Sequence, residues 1–185
     1  MTGRGEDRRT GGQGVGENGP RPPRDPEATA REVCLRLLTM GPRTRAQLAE
    51  ALKRRQVPDD VAERVLARYT EVGLIDDEAF AQAWVESRHR GRGLAGRALA
   101  QELRHKGVAD ETVKEAVSAL DSEQEEYRAA ELVARKLAAT GSMDPEKRLR
   151  RLVGMLARKG YPPGLAFRVV KEALGAEIED LDTGP

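Results

Sequence analysis

The chain has 185 residues, 34% of them charged and 3% aromatic, and its formal net charge at pH 7 is +1. So even a balance argues against attraction to nucleic acid by bulk charge, and so few rings exclude base stacking as a main mode of recognition. A single cysteine, Cys34, excludes an internal disulfide and a cysteine zinc site. With no N-terminal apolar segment and no apolar run near the ~18 residues of a membrane span, a soluble, cytoplasmic protein with no membrane contact is expected.

Residues 1–27 hold seven glycines, four prolines and one large aliphatic side chain, Val15. They cannot bury enough apolar surface to offset their ordering entropy, so a disordered Gly/Pro-rich tail is predicted. Helical spacing begins at Ala28. Val33, Leu37 and Leu38 share a face, with Cys34 at a core position beside them. Gly41-Pro42 ends this helix. Thr44, with Gln47 three residues on, has the capping-box pattern and opens a second helix bearing Leu48, Ala51 and Leu52. The chain turns at Gln56-Val57-Pro58. Asp59 and Asp60 then favour the start of a third helix carrying Val61, Val65 and Leu66, which Gly73 ends.

The plan recurs twice. Asp76 or Asp77 caps a helix with Phe80, Ala83 and Trp84, and His89-Arg90-Gly91-Arg92-Gly93 is expected as a connector. A helix with Leu99 and Leu103 follows, then a left-handed turn at Gly107, then a helix capped by Asp110 with Val113, Val117 and Leu120. The third copy is predicted from about Glu125 with Leu132, Val133 and Leu137. Asp144-Pro145 opens its middle helix and Pro162-Pro163 its last. Residues 176–185 carry four acids and no base and read as an acidic tail.

One phrase ties the copies together. Leu52-Lys53-Arg54-Arg55-Gln56-Val57-Pro58 is echoed 51 residues on by Leu103-Arg104-His105-Lys106-Gly107-Val108-Ala109. It is echoed 53 residues later by Leu156-Ala157-Arg158-Lys159-Gly160-Tyr161-Pro162. Self-similarity at such a period marks a repeat architecture. The expectation is an all-α chain of three tandem three-helix repeats, residues 28–75, 76–120 and 121–175, forming an elongated, curved array.

Several stretches carry a resemblance. They are Gly73-Leu74-Ile75-Asp76-Asp77-Glu78-Ala79-Phe80-Ala81, then Trp84-Val85-Glu86-Ser87-Arg88, then Gly91-Arg92-Gly93. Leu99-Ala100-Gln101-Glu102-Leu103-Arg104-His105-Lys106-Gly107-Val108 follows, and Leu152-Val153-Gly154-Met155-Leu156-Ala157-Arg158-Lys159-Gly160-Tyr161 extends it into the third copy. In this order the chain resembles the RecX family of RecA regulators over residues 28–175. The resemblance implies a cytoplasmic, all-helical, tandem three-helix-repeat protein that binds RecA–DNA filaments; a monomer is expected. It also implies damping of ATP hydrolysis, strand exchange and coprotease activity, in homologous recombination, DNA repair and the SOS response. The N-terminal extension lies outside it.

Residues 88–106 are the richest basic stretch, with Arg88, Arg90, Arg92, Arg97, Arg104 and Lys106 against Glu102. Such charge suits a phosphate backbone or an acidic protein groove. Arg148 and Arg151 share a helical face, and Arg158 and Lys159 follow. These ten residues are the candidates for contact with RecA or, more weakly, with single- or double-stranded DNA. Cations at helix C-termini also favour the macrodipole by ~0.3–1 kcal/mol each, which accounts for Lys53-Arg54-Arg55 without any partner. Trp84, four residues after Phe80, and Tyr69 and Tyr161 read as packing residues. Asp76-Asp77-Glu78 reads as a helix start rather than a metal site. No phosphate-binding loop is present. Gly91-x-Gly93-x-x-Gly96 follows a helix rather than a strand, so it is no dinucleotide site. No catalytic residue, metal or cofactor is expected. The alternative function is a stand-alone helical DNA-binding module.

Overall fold

The computed structural model describes the backbone of residues 25–182 and the side chains of residues 25–175. Among these residues there are nine α-helices and no strand. The first copy is α1 (Pro26–Thr39), α2 (Arg45–Arg54) and α3 (Asp59–Glu71). The second is α4 (Asp77–Arg92), α5 (Gly96–His105) and α6 (Asp110–Ser118). The third is α7 (Ser122–Leu137), a 3-10 turn at Ala138–Thr140, α8 (Pro145–Arg158) and α9 (Pro163–Asp182). The principal helix–helix packings all lie within a copy.

Each copy has its own core, and the middle helix supplies its centre. Leu48 and Leu52, Leu99 and Leu103, and Leu152 and Leu156 are paired four residues apart and are essentially sealed from solvent. Burial of each stabilises by about 1.5–3 kcal/mol. Val61, Val65, Leu66 and Tyr69 close the first core, Val85, Val108 and Val113 the second, and Tyr161, Val169 and Val170 the third. The packing roles predicted for Tyr69 and Tyr161 are therefore met. Cys34 is fully buried in the first core, which pushes its thiol up to about 11.

Local chemistry starts α2, α4 and α8 where the sequence places them. Thr44 accepts from the Gln47 N–H while its own N–H donates to the Gln47 side chain. The Asp76 carboxylate accepts from the Ala79 N–H, and Asp144 accepts from the N–H groups of Glu146 and Lys147.

Five expectations change. Asp110 does not cap α6: Ala109 is the capping residue with no side-chain bond, the Asp110 carboxylate pairs with Arg104 instead, and the helix ends at Ser118, before Leu120. The predicted tail over residues 1–24 lies outside the described residues, but Pro26 and Glu27 belong to α1, which Asp25 caps. His89–Arg92 is not a connector, because α4 continues to Arg92 and ends on left-handed Gly93. Helix α7 begins at Ser122, capped by Asp121, rather than near Glu125. The segment expected as an acidic tail continues α9 as far as Asp182.

The recurring phrase is where copies dock. Its turn residues Gln56, Gly107 and Gly160 all have positive φ, at 56°, 77° and 91°. In copies 2 and 3 the turn sits against the middle helix of the preceding copy. A Cβ on Gly107 would lie 2.3 Å from the Ala46 Cβ, and one on Gly160 would lie 2.6 Å from the Ala98 nitrogen. The two joints share a hydrogen-bond plan. The Thr44 hydroxyl donates to the Lys106 carbonyl (2.6 Å), and the Ala95 N–H donates to the Lys159 carbonyl (2.9 Å). The next N–H in each middle helix then donates to an acid from the following copy: Arg45 to Asp77 (2.8 Å) and Gly96 to Glu125 (2.7 Å). Helix starts leave such N–H groups without intrahelical partners, so each copy completes its predecessor's middle helix. Among the described residues no hydrogen bond joins copy 1 to copy 3.

Candidate partner-binding groove

Docking end to end creates a cleft at each joint. The cleft between copies 1 and 2 holds about 460 Å³ and is lined by Arg43, Gln47, Glu50, Arg54, Arg104, His105 and Lys106. The cleft between copies 2 and 3 holds about 560 Å³ and is lined by Gln47, Trp84, Gln101, Glu102, His105, Lys106 and Arg158. Gln47, His105 and Lys106 line both, so the two are one continuous groove across three copies. Its cations come mostly from helix C-terminal ends, because the docking turn carries the last basic residues of α5 or α8 onto the neighbouring copy.

The groove's carboxylates are already engaged. Glu50 pairs with Arg54 at 3.2 Å, both well exposed. Glu102 accepts from the Trp84 indole N–H at 2.8 Å and lies 3.9 Å from the Arg88 Nε. Arg88 and Lys106 both approach the Trp84 ring, 4.1 and 4.0 Å from its centroid. Phe80 stacks on it at 5.8 Å. Such contacts hold the cations in place at ~0.5–2 kcal/mol each without neutralising them, leaving the groove positive. Arg104 also reaches Asp110 at 2.7 Å, and its guanidinium holds that fully exposed carboxyl below the usual range. Exposed pairs of this kind yield readily to a better-placed anion. Trp84 is thus a packing residue in part only: half-buried, it forms a wall of the groove.

The structure sorts the ten candidates. Arg104, Lys106 and Arg158 line this groove, and Arg88 reaches it only across the Trp84 ring. Arg90 does not: it pairs with Glu86 at 2.6 Å on another face of α4, in a cleft that also carries Asp121, Glu123 and Glu131. Arg92, Arg97 and Arg151 are exposed and lie outside the groove, although Arg97 lines a separate small cleft at the second joint with Gly96, Glu125 and Gly160. Two others serve the scaffold. Arg148 donates through Nε to the Thr140 hydroxyl (3.0 Å) and through its terminal nitrogen to the Leu137 carbonyl (2.9 Å), closing the end of α7. Lys159 donates to the Arg92 carbonyl (2.6 Å) across the second joint, and Arg128 donates to the Arg90 carbonyl beside it. Burial, then the nearby Arg128 and Arg92 charges, lower the Lys159 pKa.

Sequence reasoning missed Arg43 and gave Arg54 only a helix-end role. The available signal was the difference between copies: Gly107 and Gly160 stand where copy 1 has Gln56, which marks copies 2 and 3 as the ones that dock. Among the described residues no group of three or more His, Cys, Asp or Glu could hold a metal ion, and no helix is long and apolar enough to cross a membrane.

Comparison with known proteins follows the same three-part division. Family models for the first, second and third three-helix domains of RecX match residues 30–68, 76–117 and 123–170. A curated protein from Streptomyces coelicolor named Regulatory protein RecX is 65% identical over 161 residues, covering 87% of this chain and 86% of its own. Another of that name from Thermobifida fusca is 56% identical over 176 residues, 95% of each chain. The crystal structure of RecX from Lactobacillus salivarius shares the fold at a TM-score of 0.74 and 15% identity, covering 80% of this chain and 96% of its own. With all three domains matched in order and relatives of this similarity along most of its length, the chain belongs to the RecX family.

Proposed function

We propose that the protein binds RecA or RecA–DNA filaments in the cytoplasm and inhibits RecA's ATPase, recombinase and coprotease activities. Relatives that match nearly the whole chain are named regulators. The observation that carries the proposal is the continuous cationic groove, built at both joints by Arg43, Arg54, Arg104, Lys106 and Arg158. A repeat surface of this kind suits a repeating partner whose acidic side chains or phosphates recur along its length. Inhibition then needs no catalytic group of its own. A ligand that binds a slowly hydrolysing or disassembling filament state more tightly shifts the population toward it.

The test is RecA's ATPase on single-stranded DNA with the protein added below stoichiometry. The expected result is a fall in ATPase with shortened filaments. Unchanged ATPase and unchanged filament length would sink the proposal. The same groove favours one second reading, direct DNA binding. Tight affinity for DNA without RecA, falling steeply with salt, is the result that would select it.

A further inference from the structure

The first joint carries a second cleft, different in character from the cationic groove. It holds about 810 Å³ and is lined by Leu38, Pro42, Leu74, Ala79, Phe80 and Ala83, with Trp84 at its edge. Leu74 is 47% exposed, and Met40, beside Pro42 in the chain, is 72% exposed. Contiguous apolar surface of this kind on a soluble domain marks an interaction site. Its rim is positive. Arg43 and Arg88 flank it, and the Arg43 Nε is buried with no hydrogen-bond partner. A donor left without a partner is costly, and an acceptor brought against the Arg43 guanidinium would satisfy it. Among the described residues of the lining the only acid is Asp76, whose carboxylate accepts from the Ala79 N–H.

We propose that this cleft is a docking site for a polypeptide segment that presents an apolar side chain beside a carboxylate. The apolar side chain enters between Leu38, Leu74 and Phe80, and the carboxylate meets Arg43 and Arg88. Charge complementarity selects an acidic segment over a basic one. Stacking selects polypeptide over nucleic acid. The Trp84 ring already carries Phe80, Arg88 and Lys106, so the apolar surface still open is largely aliphatic and gives a base little to stack on. The proposal deepens the filament reading, on which it rests for the identity of the partner: apart from Arg43, which lines both, the cationic groove is free for phosphates or acidic side chains, and this cleft anchors the protein component.

Two substitutions at one exposed position of α4 test it. Ala83→Glu adds bulk and a negative charge to the cleft, and Ala83→Lys adds similar bulk with the opposite charge. Both residues suit a helix interior. The full chain and both variants are used to select from a displayed library of random peptides, and each is then titrated against RecA filaments on single-stranded DNA and against the DNA alone. The expected peptides pair Asp or Glu with a large apolar residue. Ala83→Glu should weaken them tenfold or more and Ala83→Lys no more than about threefold, a charge-dependent difference consistent with one disrupted contact. Filament affinity should follow the same order while DNA affinity does not move with Ala83→Glu. Selection of no peptides, selection of basic ones, or equal loss with both variants overturns the proposal. So does loss of DNA affinity with Ala83→Glu, which would make nucleic acid the occupant. If the unsubstituted protein selects acidic peptides but binds no filament, the cleft stands and the filament reading fails.

Discussion

Exchanging one methyl group across the first joint tests the docking geometry. A Cβ on Gly107 would lie 2.3 Å from the Ala46 Cβ, while the next atom, the Ala46 Cα, is 3.8 Å away. Carbon atoms settle at about 3.5–4.0 Å, so Gly107→Ala forces the copies apart by more than about 1 Å. Overpacking of that size costs about 1–3 kcal/mol. Positive φ adds a separate cost of about 1–2 kcal/mol for any residue with a Cβ. Gly73→Ala isolates that second cost, because Gly73 has a φ of 72° and nothing within 4 Å of its added Cβ. Ala46→Gly costs at most about 1 kcal/mol in helix propensity. With Ala46→Gly in place, the Gly107→Ala methyl has room. The double mutant should therefore recover about 1–3 kcal/mol relative to the sum of the single changes. At the second joint the same exchange should fail, because an added Cβ on Gly160 also meets the Ala98 backbone nitrogen at 2.6 Å, which Ala98→Gly does not remove. Gln56→Gly, at the undocked turn of copy 1, should stabilise by up to about 1 kcal/mol through relief of its positive φ alone. The assay is urea unfolding followed by far-UV circular dichroism. A coupling below about 0.5 kcal/mol between positions 46 and 107, or Gly107→Ala costing no more than Gly73→Ala, would refute the docking geometry.

Further outcomes separate the remaining roles. Arg148→Ala should lower stability by about 1–3 kcal/mol, since it leaves two bonds at the end of α7 unmade. Arg158→Ala should change stability by less than about 0.5 kcal/mol yet reduce ATPase inhibition, and the reverse pattern would move the binding face elsewhere. Cys34 should react slowly with a disulfide reagent. Raising its pKa from 9.0 to about 11 leaves about a hundredfold less thiolate at pH 8, and burial slows access further. This thiol's contribution to stability is full below pH 9 and lost as pH rises through 11, because the unfolded chain ionises first. Rapid labelling in the folded protein at pH 8 would show that copy 1 opens on its own.

The helices were legible because their causes are local. The spacing of Leu48 and Leu52, the Thr44–Gln47 box and the Asp76 cap act within one or two turns. The joints were not, because they depend on contacts such as Thr44 with Lys106, 62 residues apart. The same distance hides which cations are free. Lys106 and Lys159 occupy equivalent places in the recurring phrase, but one lies over Trp84 and the other is spent on the Arg92 carbonyl. Nor could spacing show that α4 continues through Gly91. That last turn is supported by Lys159 and Arg128, both from the third copy, which take the Arg92 and Arg90 carbonyls.

The phrase itself contains the rule that ends the array. A copy can dock on a predecessor only if its turn brings no Cβ against the preceding middle helix, and Gly107 and Gly160 meet that condition. Gln56 keeps the positive φ but carries a side chain, so the first copy cannot seat on another in this geometry. At the other end α8 needs no acid from a successor, because its first residue, where α2 has Arg45 and α5 has Gly96, is Pro145, which has no N–H to satisfy, and Asp144 takes the N–H groups of Glu146 and Lys147. Among the described residues the cationic groove spans the two joints that glycine permits.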